Sequence, residues 1–465
     1  MTSDTQQYDI AKIRQLLLAA FTAEDLRRFC YYRPTFRPIV DELSPSHGLA
    51  AMVDKVIAYC ETHLLLDELL AGVREVNPRQ YARFEPQLRR STHRPPASTT
   101  PVPGPMPTHP PRTEEIERYV DFDLHITSTG QATAKSDQGE ASAAIPVEVP
   151  STIQQSLPQI EANVADSQRL KDFGRALYDW LFPGPIHTHF QVTEAVARNQ
   201  GAKVRIRLRV EAQEIASLPL EFMCREVGGY LAVNPDTVLS RYLQLPLPSS
   251  SVRPREGPLH MLAIVADVPG LPRLDPEEWE GILRTALANQ LDGGQMTLRM
   301  VKRATRREIR TALLEQKPHI VQFLGHGYYE SGKGHLALLD GDTGRIWSVD
   351  DEQFAGIFMG FDDHLGLVCL AACESAASDD PQGFGGIAPK LVEQGVPAVM
   401  AMQYKVRISV AKLLLEEFYT AVAARKPLDW ATQLARNQVA LQFGYDDREF
   451  GTPVLYMRAR DGDVF

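Results

Sequence analysis

Two reactive side chains each follow a short apolar run: His326 in Phe323-Leu324-Gly325-His326-Gly327, and Cys373 in Cys369-Leu370-Ala371-Ala372-Cys373-Glu374-Ser375. A thiol with an ordinary pKa near ~8.5 is mostly protonated at neutral pH, so it needs an imidazole or another positive group beside it to act as a nucleophile. His326 is the residue type that supplies this to Cys373. The implied chemistry is thiolate attack on a carbonyl carbon, with the imidazole taking a proton and returning it. Gly325 and Gly327 flank the histidine, which allows a sharp turn and close approach to a substrate. Backbone N–H groups of Gly327 and Cys373 are the expected oxyanion hole, in which losing one donor costs about 3 kcal/mol.

The elements that must position this pair are His319 to Leu324 and Leu365 to Leu370, which are apolar and too short for typical helices. They predict buried parallel strands. In an open α/β sheet the crevice at the carboxyl ends of neighbouring strands is where ligands bind, and His326 and Cys373 both fall there. Cys369 is the rival nucleophile, but it lies inside the apolar run and reads as a small buried hydrophobe. His335 opens the next apolar run and reads as a strand-end residue. The sequence singles out no third group to orient His326. Gly327 to Lys333 spells most of a phosphate-binding loop, yet Gly334 stands where a Ser or Thr must hold Mg²⁺, and Leu336 to Leu339 reads as a strand where that motif needs a helix.

Phe323 to Gly327 and Leu370 to Glu374 resemble the Phe-Ala-Gly-His-Gly and Leu-Ser-Ala-Cys-Glu signatures of CHAT domains, bacterial relatives of caspases and separases. The His-to-Cys spacing is also close to the roughly 50 residues of caspases. The likeness extends upstream to Leu218-Pro219-Leu220-Glu221-Phe222 and Tyr230 to Val233, and downstream to Val396 to Ala401, Phe418-Tyr419 and Gly451 to Tyr456. It spans roughly Glu114 to Phe465. The resemblance implies an α/β caspase-like fold, a mostly parallel sheet with helices on both faces, and a cysteine endopeptidase with Cys373 as nucleophile and His326 as base. It departs from the family at Gln403-Tyr404-Lys405-Val406-Arg407, where a Trp and acidic residues are common, so substrate preference is not carried over. Glu374, Asp379 and Asp380 follow the nucleophile and are candidate substrate-binding residues that would favour a basic residue before the scissile bond. They read equally well as solvated loop charges. Gln403 and Tyr404 are weaker candidates for the pocket wall.

At 465 residues and 44% hydrophobic content the chain can build two or three folded units. Its net charge of −10 argues against nucleic acid as a partner. Five cysteines, none in a Cys-x-x-Cys pair, suit a reducing cytosol and offer no metal motif. The start lacks a basic and apolar leader, and no stretch reaches the ~18 apolar residues of a membrane span. The expectation is a cytoplasmic protein without cofactor or metal.

Four segments are expected: 1–90, 91–113, 114–255 and 256–465. In the first, Ile10, Ile13, Leu16, Leu17 and Phe21, then Leu49 to Cys60 and Leu65 to Val73, recur at helical spacing, with Thr22 as an N-cap. This small all-α bundle resembles death-fold-like effector-associated domains in Ala23 to Cys30 and in Val53 to Glu61, leading to Leu69-Leu70. That resemblance implies recruitment by a partner protein bearing a similar domain, in antiphage defence or programmed death. The plain alternative is a structural or dimerising bundle. Residues 91–113 are a proline-rich linker with a polyproline II tendency of about 3.1 Å per residue. The two parts of the CHAT-like region follow. Val120 to Ile126 predicts a strand, Ile145 to Val149 a second, and Val204 to Val210 a half-buried strand whose arginines face solvent. Strands and helices then alternate from Leu259 onward, which argues for a parallel sheet. The competing class of function is a non-enzymatic caspase-like scaffold.

Overall fold

The computed structural model describes residues 10–33, 35–43, 49–63, 65–77, 81, 88, 118–245, 256–330, 333–361, 363–371, 382–445 and 448–465. The chain divides into two compact units between Thr113 and Glu114. The 91–113 segment lies outside the described residues.

The first unit is helical, with helices Ile10–Ala20, Ala23–Tyr32, Leu49–His63 and Leu66–Val76 and a 3-10 turn at Arg37–Glu42. Its core is the apolar stripe of each helix: Ile13, Leu16 and Leu17 meet Leu26 and Phe29, Val53 and Val56, and Leu69 and Val73. The Thr22 hydroxyl accepts the Asp25 N–H at 3.2 Å and caps the second helix.

The second unit opens with β1 (Tyr119–Ile126), β2 (Gln131–Ser136) and β3 (Gly139–Ala144). Strand β1 agrees with its alternation. The second strand does not fall at Ile145 to Val149: two strands precede it, and residues 145–149 run outside the ladder. Pro146 and Pro150 lack the N–H a ladder needs, whereas the small residues of Gln131 to Ala144 pair without obstruction. Helices Ser151–Glu161, Ser167–Leu181 and Gly184–Asn199 follow, then β4 (Lys203–Val210), the short hairpin β5 (Cys224–Arg225) and β6 (Gly229–Tyr230), and β7 (Thr237–Tyr242).

From Leu259 the chain alternates as expected: β8 (Leu259–Val265), helix Pro276–Ala286, β9 (Met296–Val301), helix Arg306–Gln316 and β10 (Ile320–Leu324). A small antiparallel sheet of β11 (Gly327–Glu330), β12 (Lys333–Leu339) and β13 (Ile346–Asp350) interrupts the alternation. Then come helix Asp351–Ile357, β14 (Leu367–Ala371), helix Gln382–Glu393, β15 (Ala398–Met402), helices Ile408–Ala423 and Leu428–Phe443, and β16 (Pro453–Met457).

The large sheet has the order β3-β2-β1-β4-β7-β16-β15-β14-β10-β8-β9. Strands β1, β4, β7 and β16 run parallel, and so do β15, β14, β10, β8 and β9. The two blocks meet antiparallel at β15 and β16. The fold is thus a mostly parallel α/β sheet. Because side chains alternate along a strand, each central strand feeds two cores. Ile320 and Leu324 of β10 face the core shared with helix Ile408–Ala423, while Val321 and Phe323 face the one shared with helices Arg306–Gln316 and Gln382–Glu393.

Strand β4 corrects the expectation of a solvated arginine face. It lies between β1 and β7, and Arg205 and Arg207 are 6% and 2% exposed. Each is neutralised where it lies: Arg205 Nε is 2.6 Å from Asp429 Oδ2, and Arg207 meets Asp121 at 2.7 Å and Asp123 at 2.5 Å. Buried charge is tolerated only when paired in this way.

Candidate active site

The carboxyl ends of β8, β10 and β14 lie side by side. Ala266 N–H donates to Leu324 O at 2.8 Å, and Gly325 N–H donates to Ala371 O at 3.3 Å, which carries the ladder one residue beyond each strand. His326 is the next residue. Its carbonyl accepts Ala337 N–H at 3.0 Å, turning the chain into the small sheet. Gly325 is required here by close approach, since a Cβ would sit 2.5 Å from the Phe323 ring and 3.2 Å from Ala266 Cβ. Neither Gly325 nor Gly327 takes a left-handed backbone conformation, so what Gly325 supplies here is room for close approach.

The His326 side chain is 3% exposed. Its Nε2 lies 2.9 Å from the Pro272 carbonyl oxygen. A carbonyl can only accept, so Nε2 carries the proton of the neutral ring and Nδ1 keeps its lone pair. Nδ1 is buried and has no hydrogen-bond partner among the described residues. Burial lowers the imidazole pKa below its ordinary value, against the opposing influence of the Pro272 hydrogen bond and the Asp267 charge; Lys405 adds to the lowering. The ring is therefore a neutral base at pH 7, with one nitrogen fixed and the other open to a proton.

Of the other expected site residues, Cys373, Glu374, Asp379 and Asp380 lie outside the described residues, which resume at Gln382. Gly327 is the first residue of β11 and pairs in register with Leu336. Gln403 and Tyr404 follow β15, and their side chains are engaged with other elements. Gln403 Nε2 donates to Gly451 O at 2.8 Å and to Glu221 Oε2 at 3.3 Å. Tyr404 is buried with its ring 4.1 Å from the Arg448 guanidinium. Both line a cleft of about 660 Å³ between helix Gln382–Glu393 and the Gln213–Leu220 segment, above the ion pair of Arg241 and Glu221.

The rival side chains are held in structural roles. Cys369 is 1% exposed, and burial pushes its thiol up to about 12. His335 lies within β12, stacked on Tyr328 with ring centroids 5.1 Å apart. The segment after the incomplete phosphate loop is a strand, Lys333–Leu339, and no helix. Among the described residues no cluster of three His, Cys, Asp or Glu could hold a metal ion, and no helix is long and apolar enough to cross a membrane.

Sequence reasoning missed the group that orients His326 because it is a backbone oxygen. The carbonyl of Pro272 reaches the ring from the loop after β8, 54 residues away. The available signal was indirect: Pro269-Gly270 marks a turn between β8 and the next helix, at the same carboxyl edge as His326.

The description "CHAT domain" belongs to a family profile that matches residues 171–449. No curated protein matches the chain. Among solved structures it is similar to the Saccharomyces cerevisiae separase–securin complex at 3.0 Å, with 11% identity, 97% of this chain covered and a TM-score of 0.40. The same complex at 2.6 Å gives 12% identity, 96% coverage and a TM-score of 0.34. This chain spans 38% and 37% of the length of those two chains.

Proposed function

Because the chain belongs to the CHAT domain family, we propose that it is a cysteine endopeptidase acting through Cys373 and His326. The observation that carries this reading is the state of His326: Nε2–H is fixed on the Pro272 carbonyl, while Nδ1 is buried, basic and unpartnered among the described residues. It sits one residue past the bond that joins Gly325 to Ala371, and Cys373 is the second residue after Ala371.

In the proposed reaction the Cys373 thiol gives its proton to His326 Nδ1, and the thiolate sulfur attacks the peptide carbonyl carbon. Backbone N–H groups of Gly327 and Cys373 receive the oxyanion. As the tetrahedral adduct collapses the C–N bond breaks, and the imidazolium returns its proton to the leaving amine. Water, deprotonated by the same Nδ1, then attacks the thioester carbonyl and releases the acid and the free thiol. No redox partner or metal enters this balance.

Substrate side chains are recognised in this reading by Glu374, Asp379 and Asp380, with Gln403 and Tyr404 forming the wall of the adjoining cleft. The helical first unit recruits or clusters the enzyme through a partner with a similar domain, in bacterial defence or programmed death. Peptide-library cleavage by the full chain, compared with Cys373→Ala, tests the chemistry. Loss of cleavage in the variant is expected, and cleavage that persists unchanged would eliminate the dyad. If neither protein cleaves in the presence of a recruiting partner, the caspase-like scaffold takes its place. Removing residues 1–90 is expected to abolish association with that partner; undiminished association would remove recruitment from the proposal.

A further inference from the structure

His326 is held by the loop that follows β8, and one carboxylate accepts a backbone N–H across that loop. The loop begins at Ala266, which ends the β8 ladder, and finishes at Asp275, which caps helix Pro276–Ala286 by accepting Glu277 N–H at 3.0 Å. Inside it, Leu271 N–H donates to Val268 O at 3.3 Å, and Gly270 has φ +91°. With Pro269 at the second position and a positive-φ glycine at the third, Val268 to Leu271 has the signature of a type II turn. The turn alone leaves the far arm of the loop untied. The tie is Asp267, whose Oδ1 accepts Leu274 N–H at 3.0 Å. Pro272 lies within the loop closed by that bond, two residues before the tie point, and its carbonyl holds the imidazole at 2.9 Å.

We propose that Asp267 is a positioning residue for the His326–Cys373 pair: its carboxylate closes the 267–274 loop and so fixes the Pro272 carbonyl that selects the His326 tautomer. The inference rests on the endopeptidase reading and adds to it a residue that acts through the backbone holding the imidazole. Asp267 has a second, electrostatic effect on the ring. Among the described residues the charges that act on His326 are Asp267 from the loop after β8, which favours the imidazolium, and Lys405 from the segment after β15, which opposes it. Transfer of the thiol proton creates that imidazolium, so the Asp267 charge favours the thiolate–imidazolium pair over the neutral pair.

Iodoacetamide labelling of Cys373 in the full chain, followed by mass spectrometry as a function of pH, tests the inference without a known substrate. Cys30, Cys60, Cys224 and Cys369 are buried, so labelling at Cys373 is read against a low background. In the wild type, labelling is expected to set in at a pH below that of an ordinary thiol, and His326→Ala is expected to move the onset up toward ~8.5. Asp267→Ala loses both tie and charge, so its onset should approach that of His326→Ala, with labelling near pH 7 slowed on the order of 10-fold. Asp267→Asn keeps an oxygen for the Leu274 N–H and loses only the charge. Its plateau rate should match the wild type, with the onset raised by about half to one pH unit.

Equal onsets in wild type and His326→Ala would overturn the dyad reading itself. A normal His326 effect with Asp267→Ala indistinguishable from wild type would overturn the inference alone, as would Asp267→Asn as impaired as Asp267→Ala. If Asp267→Ala does not fold, Asp267→Asn decides: an onset raised as far as that of His326→Ala overturns the inference, and a wild-type plateau rate with an onset raised by no more than about one pH unit supports it.

Discussion

Replacing Glu221 by alanine should destabilise the second unit by about 3–5 kcal/mol, the cost of leaving a buried charge without its partner. The structure sets this scale. Glu221 is 1% exposed and Arg241 8%, and the pair is bidentate, with Arg241 Nε and Nη2 donating to the two carboxylate oxygens at 3.0 and 2.7 Å. Burial pulls the guanidinium pKa down, but the charge and hydrogen bond of Glu221, together with Tyr456 and Tyr404, more than offset it and leave it raised. Arg241 also donates to Ala216 O at 2.5 Å and Leu218 O at 2.8 Å, so it pins the Gln213–Leu220 wall of the cleft to β7. Removing the carboxylate strands a cation whose other partners, two backbone carbonyls and the Tyr456 side chain, are neutral. Urea unfolding followed by tryptophan fluorescence isolates the effect, because Trp180, Trp279, Trp347 and Trp430 all lie in the second unit. With a slope of roughly 3 kcal/mol per M, the midpoint should fall by about 1–1.7 M. The double variant Glu221→Leu with Arg241→Met should recover most of that loss, since an apolar pair of similar volume carries no desolvation cost. A loss below about 1 kcal/mol for Glu221→Ala, the scale of an exposed pair, would refute the reasoning. So would a double variant no better than the single one.

Gly325→Ala puts a methyl group into the Phe323 ring at 2.5 Å; it should cost about 1–3 kcal/mol by urea unfolding and reduce peptide cleavage further by displacing His326, whereas wild-type cleavage would refute the tight-approach argument. Burial holds the His326 pKa below its unfolded value near ~6.5, so the stability tied to the neutral ring is fully present above that value and is lost as pH falls through the lower, folded one. The stability difference between wild type and His326→Gln should therefore shift against the wild type as pH falls below about 6.5; a constant difference would contradict it. Asp350 closes a capping box with Gln353 at helix Asp351–Ile357, so Asp350→Ala should cost about 1 kcal/mol at neutral pH. Its pKa is lowered chiefly by the Gln353 N–H, so this contribution is present above the unfolded carboxylate value and should fade as acid titrates through the folded one, a trend that pH-dependent unfolding of the two proteins measures.

How much of this could be read from the sequence depends on whether a residue's environment is carried by its neighbours in the chain. Strands β10 and β14 were legible because a strand buried on both faces must be apolar at every position, and Ile320 to Leu324 and Leu367 to Ala371 are nearly so. The exception, Gln322, is satisfied by the Tyr419 hydroxyl at 2.7 Å from a helix 97 residues on. Strand β4 misled for the converse reason. Its apolar–basic alternation is the pattern of a half-exposed strand, and nothing within Lys203 to Val210 reveals that Asp121 and Asp123 pair across in register or that Asp429 arrives from 224 residues away. The pattern reported alternation correctly, and burial was decided by partners the pattern does not contain. At the candidate site the same division holds one level down. His326 announces itself by type and by its place after an apolar run, but its working state is set by Pro272, which acts through a carbonyl that every residue possesses. Residue type therefore locates the base, and tertiary contact selects which nitrogen is free. A variant of Pro272 that keeps the loop closed through Asp267 and Leu274 should accordingly leave His326 oriented, because the group that holds the ring belongs to the backbone.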